Sequence, residues 1–118
     1  MNILVIDDEK DIRDSISSIL TKKGYNPTTI DNVMDAEDLI RNKKWDLIIS
    51  DIMIPHLGGF ELVDVLKAVS PKTPMIIITG MDKDILDATV TRANVILTKP
   101  FTSQQLTDAV SKLTSTVA

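Results

Sequence analysis

Five short apolar runs recur along the chain, and a stretch of helical periodicity follows each of them. The runs are residues 2–6, 25–30, 46–50, 75–79 and 95–97. Each is too short for a helix of its own and lies among turn residues, which marks it as a strand. After the first run, Ile12, Ile16, Ile19 and Leu20 fall on one helical face, and Lys22, Lys23 and Gly24 form a basic last turn and a stop. Val33, Ala36, Leu39 and Ile40 repeat the pattern behind a cap at Asp31 or Asn32. Leu62, Val63 and Leu66 stripe a third helix that Pro71 and Pro74 close. The segment 83–92, with Ile85, Leu86 and Val90, is the weakest stripe and is expected to be the least rigid helix. Thr102 with Gln105 makes a capping box for a last helix bearing Leu106, Val110 and Leu113.

Strand–helix units repeated five times in 118 residues predict one α/β domain over 1–118, a doubly wound (βα)5 sandwich around a parallel sheet. Met75-Ile76-Ile77-Ile78-Thr79 suits a central strand covered on both faces. Pro27 cannot donate to a ladder and suits an edge. Right-handed crossovers leave few strand orders. An order of 2-1-3-4-5 puts the Pro27 strand on an edge and the ends of the first and third strands side by side.

The second regularity lies at the strand ends. Asp7-Asp8-Glu9 follows the first run, Asp51 the third, Thr79 the fourth and Lys99-Pro100 the fifth. In an open parallel sheet the carboxyl ends of the strands face the crevice that binds ligands. Three or more carboxylates gathered there repel one another unless a cation neutralises them. A hard divalent ion, Mg²⁺ or Mn²⁺, is the natural neutraliser, and Mg²⁺ held by a few carboxylates keeps positions open for phosphate. Asp8 and Asp51 could hold the ion directly and Asp7 through water, with the backbone carbonyl of Met53 completing the set. Asp51 is the candidate nucleophile, since a carboxylate can attack phosphorus to give an acyl phosphate. Lys99 would be the fixed cation on the phosphoryl oxygens and the Thr79 hydroxyl a donor to another, which is nearly all that phosphoryl transfer asks of a protein. Taken singly, Asp7 and Asp8 are also explained as acids at a helix N-terminus, and Asp51 as a turn former.

Composition narrows the alternatives. A net charge of −4 argues against direct binding to nucleic acid or an anionic membrane. The chain has no cysteine, which removes thiolate chemistry and disulfides and fits a reducing compartment. No run reaches transmembrane length and no signal peptide is evident, so the expected compartment is the cytoplasm. His56, the only histidine, and the pairs Lys22-Lys23 and Lys43-Lys44 read as solvated surface, and Trp45 as packing at the start of the third strand.

Asp7-Asp8, Asp51 with Pro55 and Gly59, Thr79-Gly80 and Lys99-Pro100-Phe101 together resemble the receiver domain of bacterial two-component response regulators, across essentially the whole chain. The resemblance implies a flavodoxin-like fold with the same 2-1-3-4-5 order. It implies that Asp51 accepts a phosphoryl group from a histidine kinase or a histidine phosphotransfer protein. It also implies Mg²⁺ at Asp7, Asp8 and Asp51, and a cis peptide before Pro100. The chain would act as a signalling switch or a phosphorelay carrier rather than as an enzyme, and would assist its own phosphorylation and dephosphorylation. It would be a monomer or a phosphorylation-dependent dimer that speaks to a downstream protein or a detached output domain, none being visible in the sequence. The alternative reading is a pseudo-receiver used only for protein interaction. A haloacid-dehalogenase-type phosphatase would want two aspartates separated by one residue after the first strand, whereas Asp7 and Asp8 are adjacent.

One switch position departs from the pattern. Three residues before the lysine, receivers commonly carry Tyr or Phe, and here Ile96 stands. Ile96 offers volume alone, so Thr79 and the 83–92 segment are expected to carry the change on activation. In receivers two positions flank the path of water toward the acyl phosphate, the second after the phosphorylated Asp and the second after the hydroxyl residue; the resemblance places Met53 and Met81 there, and Gly80 would leave the pocket open to a partner. Neither thioether can orient water as a carboxylate or amide would. The phosphorylated form is therefore expected to be long-lived. Loss of label after removal of the donor should take far longer than seconds, and Met53→Asn with Met81→Glu should accelerate it.

Overall fold

The computed structural model of the chain describes residues 1–51, 72–80 and 95–114, with the side chains of Val33, Thr79 and Ile96 outside that description. The helices expected between the third and fourth strands and over 83–92 fall outside the described residues, as do Met53, Pro55, His56, Gly59 and Met81.

The described elements follow the expected sequence. They are β1 (Asn2–Ile6), α1 (Lys10–Lys22), β2 (Asn26–Ile30), α2 (Val33–Asn42), β3 (Leu47–Asp51), β4 (Met75–Thr79), β5 (Val95–Thr98) and α3 (Ser103–Thr114). All four strand pairings are parallel and the sheet order is β2-β1-β3-β4-β5. The Pro27 strand does lie on an edge, where a missing N–H leaves no gap in a central ladder.

The central strands are apolar because both their faces are covered. Ile3 and Val5 of β1, Leu47 and Ile49 of β3, and Ile76 and Ile78 of β4 share one core with Ile16 and Leu20 of α1 and Leu106, Ala109 and Val110 of α3. Side chains alternate across a strand, so Leu4, Ile6, Ile48 and Ile77 face the other way, and they too are buried. Ala36 and Ile40 give α2 its buried stripe. Each fully buried Ile or Leu contributes roughly 1.5–3 kcal/mol.

Local chemistry fixes the helix ends. Asn32 caps α2, its side-chain oxygen accepting from the Asp35 N–H at 2.8 Å, which settles the choice between Asp31 and Asn32. Thr102 and Gln105 form the reciprocal capping box of α3, with bonds of 3.1 and 2.8 Å. Gly24 ends α1 at φ +85°, a conformation that a side chain would strain. Trp45 is buried before β3, donates its indole N–H to the Leu39 carbonyl at 3.0 Å, and carries the Lys43 ammonium 4.9 Å above its ring. Lys43 is an exposed helix end, as its pairing with Lys44 suggests, and adds this ring contact. No helix among the described residues is long and apolar enough to cross a membrane.

Ile76 sits in a strand flanked on both sides and is fully buried. Ile76→Ala should lower unfolding free energy by about 3–4 kcal/mol through lost transfer energy and a residual cavity. Urea denaturation in the presence of chelator is the check.

Candidate functional site

Sheet register assembles the crevice. Ile6 pairs with Ser50, so the chain leaves β1 at Asp7 directly beside Asp51, the last residue of β3. The strand runs one residue farther than its apolar pattern suggests, which puts Asp51 inside the ladder, in register with Ile78 of β4. Strand order thus converts two distant acids into neighbours at the point where chain direction across the sheet reverses.

Asp7 is held from three sides. Its N–H donates to the Ile30 carbonyl of β2 at 3.2 Å, and its own carbonyl accepts from Arg13 Nη1 of α1 at 2.8 Å. Its Oδ1 accepts from the Glu9 N–H at 2.9 Å, the helix-start role that the sequence allows for this acid. The other oxygen, Oδ2, is buried without a hydrogen-bond partner. One carboxylate therefore serves the fold with one atom and the crevice with the other.

Lys99 enters from the far strand, just beyond β5, and its peptide bond to Pro100 is cis as the family resemblance implies. Its Nζ donates to Asp51 Oδ2 at 2.8 Å and to Glu9 Oε1 at 3.3 Å, and stands 3.3 Å from Asp7 Oδ2 as an ion contact without hydrogen-bond geometry. Both Asp7 and Asp51 are almost wholly buried, at 1% and 4% exposure. Burial, reinforced by the charge of Asp51, raises the Asp7 carboxyl above its ordinary value, against the Glu9 N–H and Lys99, which lower it. Burial works against the Lys99 ammonium, but hydrogen bonding and charge from Asp51, with Asp7, lift it above the ordinary lysine value. Lys99 is charged throughout the physiological range.

The residues present fit a hard divalent cation. Asp7, Asp8, Glu9 and Asp51 can each bring one carboxylate oxygen within 4.8 Å of all the others. Asp7 Oδ2, buried and met only by the Lys99 ion contact among the described residues, is an oxygen ligand of the kind Mg²⁺ prefers. The Met53 carbonyl is outside the described residues. Thr79 closes β4 in register with Thr98, its hydroxyl outside the description, and Ile96 pairs with Ile77 with its side chain likewise outside. Gly80 follows on the exposed rim, and a Cβ there would meet nothing within 4 Å. Pro100 lines a cavity of about 430 Å³ with Ile12, Ser15 and Ile19 of α1 and Lys99, Phe101 and Ser103. Lys99 belongs to both that cavity and the crevice.

The response regulator receiver domain family matches residues 3–111. The chain belongs to that family. Receivers are the phosphoacceptor domains of two-component signalling, and this receiver has the strand order and acidic crevice that go with that role. It is 32% identical over 111 residues to the response regulator MprA of Mycobacterium sp. (strain KMS), covering 90% of this chain and 47% of that protein. The chain thus spans about half of that relative's length. It is 29% identical over 113 residues to the response regulator receiver protein CpdR of Brucella abortus, covering 94% of each. Among solved structures, the beryllofluoride-activated NtrC4 receiver domain dimer superposes with a TM-score of 0.92 at 29% identity, covering 99% of this chain and 98% of that one. The response regulator TrrA of Thermotoga maritima, in complex with Mg²⁺–BeF, gives 0.87 at 28% identity, covering 95% and 97%.

Two contributors escape the sequence reading. Glu9 was simply one acid of a cluster, and only tertiary structure sets it against a lysine 90 residues away. Arg13 lies four residues from Glu9, the spacing of a helical ion pair, yet its side chain goes to the Asp7 carbonyl.

The crowding of the crevice has a titration signature. In metal-free protein, carbon NMR of the Asp7 carboxyl should report a midpoint above the ordinary aspartate value. Asp51→Asn removes a charge that raises it, so the midpoint should fall. Because the folded form binds this proton more tightly than the unfolded chain, Asp7 makes stability decrease as pH rises from the ordinary aspartate value through the raised one. Unfolding free energies across that range should show this component diminished in Asp51→Asn.

Proposed function

We propose that Asp51 accepts the phosphoryl group of a phosphohistidine. The observation that carries this is the 2.8 Å contact between Lys99 Nζ and Asp51 Oδ2 at the buried end of β3. An Asp51 oxygen forms the new P–O bond as the P–N bond of the donor breaks, and the imidazole leaves with the electron pair and takes up a proton. Lys99, already charged, turns its donors to a phosphoryl oxygen, and the Thr79 hydroxyl donates to another. Asp7, Asp8 and Asp51 would hold Mg²⁺ with the Met53 carbonyl, and the ion supplies charge neutralisation at the transferring oxygens. Preorganised charge of this kind is the main contribution a protein makes to phosphoryl transfer.

The donor is a histidine on a kinase or a phosphotransfer protein. The cavity beside α1 offers a partner an apolar seat at Ile12, Ile19 and Phe101, next to the lysine that reaches Asp51. The output passes to a protein partner or to a domain elsewhere in a longer regulator. The MprA relative has about twice the matched length, and the dimeric NtrC4 receiver supports phosphorylation-dependent pairing. The site works as a signalling acceptor that assists its own phosphorylation and dephosphorylation.

Incubation with a small phosphodonor and Mg²⁺ should add one phosphate that is labile to hydroxylamine. Asp51→Asn should abolish the label and chelator should suppress it. Undiminished labelling of Asp51→Asn, or labelling in excess chelator, would rule out the assignment.

A further inference from the structure

Glu9 stands at the N-cap position of α1 with extended backbone, yet its side chain makes no capping hydrogen bond. Its carboxylate is 61% exposed and reaches instead to Lys99 Nζ at 3.3 Å. Among the described residues Lys99 therefore has three acidic neighbours, of two kinds. Asp7 and Asp51 are buried and are the same groups that would ligate a divalent cation. Glu9 is on the solvent side.

This arrangement creates a conflict that Glu9 is placed to resolve. The oxygens that now neutralise Lys99 cannot also serve a divalent ion without bringing that ion against the ammonium, and like charges at such distances in a buried site repel strongly. Lys99 must loosen its hold on Asp7 and Asp51 while staying close enough to meet a phosphoryl oxygen. We propose that Glu9 is the positioning residue that retains Lys99 at the mouth of the crevice when a divalent cation takes the buried carboxylates. This rests on the reading that Asp7, Asp8 and Asp51 form the cation site. An exposed ion pair contributes little to stability by itself. Its effect here is on the difference between two states, because Glu9 keeps the ammonium partnered in the state where its buried partners are engaged elsewhere.

A double-mutant cycle on Mg²⁺ affinity, measured by calorimetry, separates this from the simpler roles of Glu9. In otherwise wild-type protein Glu9→Gln should weaken Mg²⁺ binding about three- to fivefold, the size of a surface-pair coupling. In a Lys99→Met background the same substitution should change affinity little, because there is no ammonium to retain. Equal weakening in both backgrounds would overturn the proposal, making Glu9 a ligand or a bulk charge, and so would unchanged or tighter binding by Glu9→Gln. The Lys99 ammonium nitrogen resonance gives a second readout that needs no Lys99 variant. It should stay protected from hydrogen exchange in Mg²⁺-saturated wild type and lose that protection in Glu9→Gln, whereas equal protection in both would overturn the proposal. Absence of Mg²⁺ binding by the wild type would refute the cation site itself, and this inference with it.

Discussion

One ammonium set among four carboxylates is the interaction on which the rest of this molecule is organised. One carboxylate oxygen from each of Asp7, Asp8, Glu9 and Asp51 lies within 4.8 Å of the others, and the Lys99 ammonium contacts three of these acids, Asp7, Glu9 and Asp51. Such an assembly cannot arise from local sequence. It needs β1 beside β3, a parallel register that aligns Ile6 with Ser50, and a fifth strand that delivers Lys99 from the opposite side. The apolar sheet is the frame that makes this arrangement rigid, since its central side chains leave nothing free to relax. A site so short of positive charge is prepared for incoming cations. A divalent cation would relieve the repulsion among these carboxylates.

The division of labour within single residues follows from that crowding. Asp7 spends its N–H, its carbonyl and one carboxylate oxygen on holding β2, Arg13 and the start of α1 in place. Only the last oxygen remains for the crevice. Replacing Asp7 would thus disturb both the helix start and the acidic crevice. Asp51 differs. Its backbone belongs to the ladder, in register with Ile78, and its side chain meets Lys99.

Most of the fold was legible in the chain because its signals are local and agree with one another. The all-apolar β4, the proline on β2 and the Thr102–Gln105 box each indicated their place by a mechanism that tertiary structure did not override. The acids and the lysine were legible as a set, since each follows a strand and parallel strands share one functional end. Asp51 proved to be within the strand rather than just after it, because ladder pairing continues to Ile78 past the last apolar side chain. Glu9 and Arg13 were not legible in role. A glutamate before a helix has many uses, and its reach to Lys99 depends on a contact spanning 90 residues.

The lone tryptophan lies at the wrong end of the sheet to witness the chemistry. Trp45 precedes β3 and Asp51 closes it, so the indole and the carboxylate belong to opposite ends of that strand. The indole is anchored by the Leu39 carbonyl and roofed by Lys43, neither of which belongs to the crevice. Its burial between α2 and β3 makes it an optical gauge of whether that end of the sheet is packed.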